Sequence, residues 1–100
     1  MTSVKEALAK LDAVGEPDDI AQYLRSRGIH GHKTDPSSCP IAVYVKQETG
    51  VSVRVFPVTG IRWDGGSTDT PWNVRRFVCK FDRNHYPFLK TPAWWGRDEA

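Results

Sequence analysis

The stretch Pro40–Trp63, PIAVYVKQETGVSVRVFPVTGIRW, changes its hydrophobic period halfway along, and that change sets the fold class. Pro40 suits the first position of a helix, because a first-turn amide has no helical partner to lose, and Cys39 then falls at the N-cap. The run Ile41–Val45 is apolar at five consecutive positions, so this helix is expected to be buried on most sides. Gly50 closes it. From Val51 the pattern alternates: Val51, Val53 and Val55 share one face and Ser52 and Arg54 the other, which is the period of a strand. Pro57 suggests an edge strand or a strand end, Thr59-Gly60 offers a turn, and Ile61-Arg62-Trp63 returns as a partner strand. A two-stranded hairpin does not stand alone in water. It is expected to lay its valine face on helices, giving a small α+β domain.

Working outward, the N-terminal side supplies two more helices. Ser3 and Glu6 have capping-box spacing ahead of Val4, Ala7, Leu8, Leu11 and Val14, and Gly15 ends that pattern. A second helix is expected from Pro17, with Asp18 and Asp19 at its positive end and an apolar face of Ile20, Tyr23 and Leu24. Gly28 terminates it. On the C-terminal side Asp64-Gly65-Gly66 reads as a loop or a second turn. Thr70-Pro71 repeats the cap-plus-proline pattern, and Val74, Phe77, Val78 and Phe81 form the core stripe of a last helix that Asn84 can end. The remainder, YPFLKTPAWWGRDEA, is an irregular aromatic tail. The expectation is one domain over residues 1–100: three helices, a two-stranded antiparallel hairpin packed on them, and a C-terminal helix. The helix of residues 1–15 and the tail of residues 90–100 are placed at its periphery.

Composition narrows the function classes. The 100 residues carry a net charge of +2, too little to imply nucleic acid by itself. The charge is unevenly distributed. Residues 1–22 set Lys5 and Lys10 against Glu6, Asp12, Glu16, Asp18 and Asp19, and the basic excess lies in the rest of the chain. An acidic segment on a basic remainder suits intramolecular packing or head-to-tail contact. No apolar run approaches the ~18 residues of a membrane span, and the charged, amphipathic start lacks the apolar centre of a secretory leader. A cytoplasmic protein without a membrane partner is expected, its two cysteines reduced.

Four groups of residues compete as functional sites. His30, His32 and Cys39 lie close together, and Asp35, Cys79 or His85 would have to complete a zinc set. The spacing matches no common zinc pattern, so the favoured reading is a solvated loop with no metal and no cofactor. Cys39 at a helix N-terminus has the setting of a reactive thiolate, but no oxyanion site or orienting base is legible. A capping or buried thiol is preferred, and Cys79, one position from the last helix's stripe, is expected in the core. Arg75, Arg76, Lys80 and Arg83 form a basic face that would neutralise phosphates, with Arg54 and Arg62 adding charge. Against this, a long loop separates the second and third helices, and the third carries only Lys46 as a reader. Finally, Trp63, Trp72, Trp94 and Trp95, with Arg62 nearby, have the composition of a protein-binding hot spot. Tyr86, Phe88 and Leu89 are expected to fold back onto the last helix.

The segments YLRSRGIHG (Tyr23–Gly31), DPSSCPIAVYV (Asp35–Val45), VSVRV (Val51–Val55) and TPWNVRRFVCKFDRNHYPFL (Thr70–Leu89) resemble a group of small uncharacterised proteins of actinobacteria and their bacteriophages. The likeness runs from Ala21 to about Leu89 and brings no known activity. For a phage-encoded chain it implies a small non-enzymatic product that binds a host protein or nucleic acid. The first helix and the Trp94-Trp95 tail would then be additions of this chain. The function expected is protein binding, to a host factor or a second copy, through Trp94, Trp95, Trp72, Trp63 and Arg62. Nucleic-acid binding by the last helix is the alternative, and thiol chemistry at Cys39 the third reading.

Overall fold

Helix α1 (Val4–Asp12) begins where the Ser3 hydroxyl accepts the amide of Glu6 at 3.1 Å, and it turns Val4, Ala7, Leu8 and Leu11 into the core. Helix α2 (Pro17–Ser26) starts on a proline, with the Asp19 carboxylate accepting the amide of Glu16 at 3.0 Å. It stops in a Schellman turn: Gly28 N–H donates to the Arg25 carbonyl and Ile29 N–H to that of Leu24. Gly28 supplies the left-handed φ of 70° that the turn needs. Helix α3 (Pro40–Thr49) has Cys39 at its N-cap position, without a side-chain cap bond, and is ended by Gly50; Ile41, Ala42, Tyr44 and Val45 are buried as its apolar run predicts. These coordinates are those of a computed structural model, which describes residues 2–32, 36–83 and 85–89.

The hairpin lies within the alternating stretch, but its first strand starts at Val53, not Val51, and Gly60 belongs to the second strand and not to the turn. Strand β1 (Val53–Phe56) pairs antiparallel with β2 (Gly60–Trp63) in the register Val53↔Trp63, Arg54↔Arg62, Val55↔Ile61 and Phe56↔Gly60. Val53, Val55 and Ile61 are buried, while Arg54 and Arg62 face outward. The sheet has one more strand than the sequence reading gave it. Asp64-Gly65 is a two-residue turn, and β3 (Gly66–Thr68) pairs with β2 as Ile61↔Thr68, Arg62↔Ser67 and Trp63↔Gly66, in the order β1-β2-β3. Gly66 is needed there because the Trp63 ring lies over it. A Cβ would come within 2.8 Å of that ring.

Helix α4 (Trp72–Asp82) buries Val74, Phe77, Val78 and Phe81, the expected stripe. Its start differs from the expected one. Pro71 is the N-cap, and the Thr70 hydroxyl donates to the Phe56 carbonyl at 3.0 Å instead of capping the helix. Asp12 fills that place: its Oδ1 accepts the amides of Asn73 at 2.7 Å and Val74 at 3.4 Å. The helix ends at Asp82 with Arg83 as its cap; Asn84, the expected end, lies outside the described residues.

Among the described residues the result is an α+β domain of four α-helices and a three-stranded antiparallel sheet around one core. α1 packs on α3 and α4, α2 on α4, and α3 on β1. Tyr86 and Leu89 fold back into this core, Leu89 on a 3-10 turn (Pro87–Leu89), and Phe88 packs against it. The Tyr86 ring stacks on Phe77 with centroids 5.3 Å apart. Each large apolar side chain fully removed from water contributes about 1.5–3 kcal/mol. The aromatic segment after α4 is therefore part of what holds the domain together. Among the described residues no helix is long and apolar enough to cross a membrane.

Candidate functional site

The histidine–cysteine loop is a structural crossing. Gly31 N–H donates to the Leu89 carbonyl, His32 N–H to that of Ser38, and Val55 N–H to that of Pro36, which ties the loop to the C-terminal turn and to β1. Gly31 passes so close to the start of α3 that a Cβ would lie 2.5 Å from Pro40 N and 2.6 Å from Ser38 O. Cys39 is 3 % exposed. The hollow beside it, lined by Pro36, Cys39, Val55, Phe56, Pro57, Val78 and Asp82, holds about 160 Å³. That is below the ~300 Å³ at which small-ligand pockets begin. Among the described residues no three His, Cys, Asp or Glu side chains converge on a common point. His30 and His32 are half-buried, His85 is exposed, and Asp35 lies outside the described residues. Cys79 is half-buried on α4, outside the core stripe, and not the core residue expected.

The basic face of α4 meets the acidic first segment of the same chain. Arg76 Nη1 lies 3.6 Å from Glu16 Oε1, and Lys80 Nζ 3.9 Å from Asp18 Oδ1. Tyr86 Oη donates to the same Asp18 oxygen at 2.6 Å. Burial first, then this bond to a carboxylate, pushes the Tyr86 phenol well above its ordinary value. The charge asymmetry of the sequence is thus partly an α2–α4 contact. Such exposed pairs are worth about 0–1 kcal/mol each. Two of the four basic residues are engaged in this way, while Arg75 and Arg83 stay exposed.

A second polar knot joins α2 to α3. The Arg27 guanidinium donates to Tyr23 Oη at 2.9 Å and to Glu48 Oε2 at 2.7 Å, and it lies over the Tyr44 ring, 5.4 Å from the centroid. Those two hydrogen bonds, that to Tyr23 first, raise the Arg27 pKa. Tyr44 is fully buried, and its hydroxyl makes no hydrogen bond. Burial pushes it up to about 12, with the nearby Tyr23 hydroxyl adding to the effect. Tyr23 Oη accepts from Arg27.

Of the tryptophans expected to form one contact surface, the described Trp63 and Trp72 stand toward different ends of the hairpin. Trp72, at the first position of α4, is 65 % exposed, with the Arg76 guanidinium 5.9 Å from its ring centroid. Trp63 is half-buried against the core and Gly66, at the end of β2 away from Gly60. The start of α4 is tied to the Gly60 end through Thr70 and Phe56. Arg62 is exposed on the sheet's outer face, beside Arg54. Trp94 and Trp95 lie outside the described residues.

By sequence, Arg54 and Arg62 count only as charge added to the α4 face and Arg62 as a neighbour of Trp63; nothing there joins Arg54, Phe56 and Arg62 as a site. The alternation that buries Val53 and Val55 sends Arg54 and Phe56 outward, and the register with β2 adds Arg62 beside them. The signal was in VSVRVF, but the arginine pair exists only once the register is known. No family model, curated protein or solved structure matches this chain.

Proposed function

We propose that this chain is a non-enzymatic protein-binding module whose described anchor is Trp72. The observation that carries the reading is the exposure of that ring on a fixed helix start. A tryptophan 65 % open to water, on a turn held by Asp12 and flanked by Arg76, offers rigid apolar area with cationic donors beside it. Tryptophan and arginine dominate interface hot spots, and a pre-organised ring loses little conformational freedom on binding. Also in favour, the hollow that Cys39 lines among the described residues is small, which suits scaffolding better than turnover at Cys39. The partner is a protein with an apolar pocket rimmed by carboxylates: a host factor for a phage-encoded chain, or a second copy. Trp94 and Trp95 belong to the proposed surface as its C-terminal extension.

The test is quantitative affinity capture with the intact chain, Trp72→Ala and a chain lacking residues 92–100, and sedimentation of the same three for self-association. A partner or dimer held by the intact chain and lost from Trp72→Ala supports the reading. Recovery unchanged in both variants removes it.

A further inference from the structure

We infer that the outer face of the sheet, around Arg54, Phe56 and Arg62, binds single-stranded nucleic acid. This goes beyond the protein-binding reading and uses a different surface. Arg54 and Arg62 stand directly opposite each other on β1 and β2. Side chains so placed have Cβ atoms about 4.5–5.5 Å apart, and like charges in that position repel. Among the described residues neither arginine has a carboxylate within ion-pair distance. Asp64, the acid nearest Arg62 in sequence, sits past the end of β2 and makes no ion pair with either. It lines a hollow of about 340 Å³ together with both arginines and Trp63. The pair thus holds two planar donor forks on one rung of a sheet, a spacing that suits one phosphate group between them.

Phe56 sets the ligand class. It lies on the same face as Arg54, two rungs away, half-exposed and outside the hydrophobic core cluster. With Arg54, Thr59 and Arg62 it lines a second hollow of about 290 Å³. An aromatic ring on an open sheet beside paired arginines is a stacking platform with an electrostatic clamp: the ring takes a base, the guanidinium groups take its phosphate. Bases in a duplex are stacked on each other and do not present that face, so single strands are the ligand. An acidic peptide would satisfy the arginines but leave the ring unused. On α4, by contrast, Arg76 and Lys80 already face Glu16 and Asp18.

The experiment is fluorescence anisotropy with labelled single-stranded DNA and RNA of about 12 nucleotides, a length within the ~4–16 that single-strand sites cover. It is run from about 50 to about 200 mM salt with the intact chain and three variants. Arg54→Ala/Arg62→Ala is expected to weaken binding about tenfold and to flatten the log–log salt slope by about 0.7, the loss of one phosphate contact on a single strand. Phe56→Ala is expected to weaken it about tenfold with the salt slope unchanged, because stacking is not electrostatic. Arg75→Ala/Arg83→Ala should leave affinity within about twofold. All the altered side chains are at least partly exposed, and circular dichroism and melting curves verify that each variant is folded. Four results would each overturn the inference: no saturable binding at the lower salt, equal binding of the matching duplex, equal competition by polyglutamate, or loss of binding in the Arg75/Arg83 variant alone.

Discussion

Asp12, the last residue of α1, caps α4 from 61 positions away in the chain: its carboxylate accepts the Asn73 amide at 2.7 Å, and its backbone carbonyl accepts from the Asn73 side chain at 3.2 Å. A helix start leaves amides unsatisfied, and a residue next in sequence normally accepts them. Here Thr70 is turned to the Phe56 carbonyl, and a residue from another helix takes over. The contact also fixes α1 against α4 beneath Trp72.

Replacing that carboxylate should be costly for a half-exposed residue. Asp12→Ala is expected to lower stability by about 1–2 kcal/mol, the range for loss of a helix cap, and Asp12→Asn by less, because its amide oxygen still accepts. Thr70→Val should lose only about 1 kcal/mol, one ordinary hydrogen bond. Urea unfolding of the three variants measures this. Equal losses for Asp12→Ala and Asp12→Asn would show that charge, not acceptance of the amides, matters at this position.

Gly31→Ala is expected to be the most damaging single methyl addition in the loop. The new Cβ would meet backbone atoms of Ser38, Cys39 and Pro40 within 2.7 Å, and backbone cannot swing aside as a side chain does. A loss of about 3 kcal/mol or more is expected, against roughly 1 for Gly28→Ala, where strain from the positive φ acts alone in open space. Thermal melts of the pair distinguish them.

Tyr44→Phe is expected to stabilise the protein by about 1 kcal/mol near neutral pH, because the hydroxyl it removes is buried without a hydrogen bond. The same variant tests the alkaline limb. With the folded-state value raised from 10 to about 12, the folded chain keeps this proton after the unfolded chain has released it. The stability linked to that proton is complete below about pH 10 and is lost as pH rises toward about 12. Tyr44→Phe should therefore lose less stability than the intact protein between those values, as denaturation at each pH would record. A parallel decline in both chains would contradict the buried phenol.

Cysteine reactivity separates scaffolding from chemistry. Cys39 is 3 % exposed and Cys79 half-buried, so iodoacetamide should label Cys79 first and Cys39 only as the protein opens. Peptide mass mapping over time gives both rates. Rapid labelling of Cys39 at neutral pH would revive the thiol reading.

The sequence by itself determined the local elements, because the forces that make them are local. Ser3, Gly28, Cys39-Pro40 and Gly50 bound their helices where the chain places them, and the Val53/Val55 alternation defined β1. It also determined which faces are apolar, so the core of α1, α2, α3 and α4 was legible, as was the return of Tyr86 and Leu89. The third strand was missed for a physical reason. Gly66-Ser67-Thr68 has no apolar side chain to reveal a period, and only the Asp64-Gly65 turn signalled a hairpin. Tertiary structure alone decided the rest: Asp12 as the cap of α4, Glu16 and Asp18 opposite Arg76 and Lys80, Trp72 parted from Trp63, and Arg54 set beside Arg62. Each joins residues distant in sequence or turns on register, and register and long-range packing are fixed by the whole core closing at once, which no local pattern encodes.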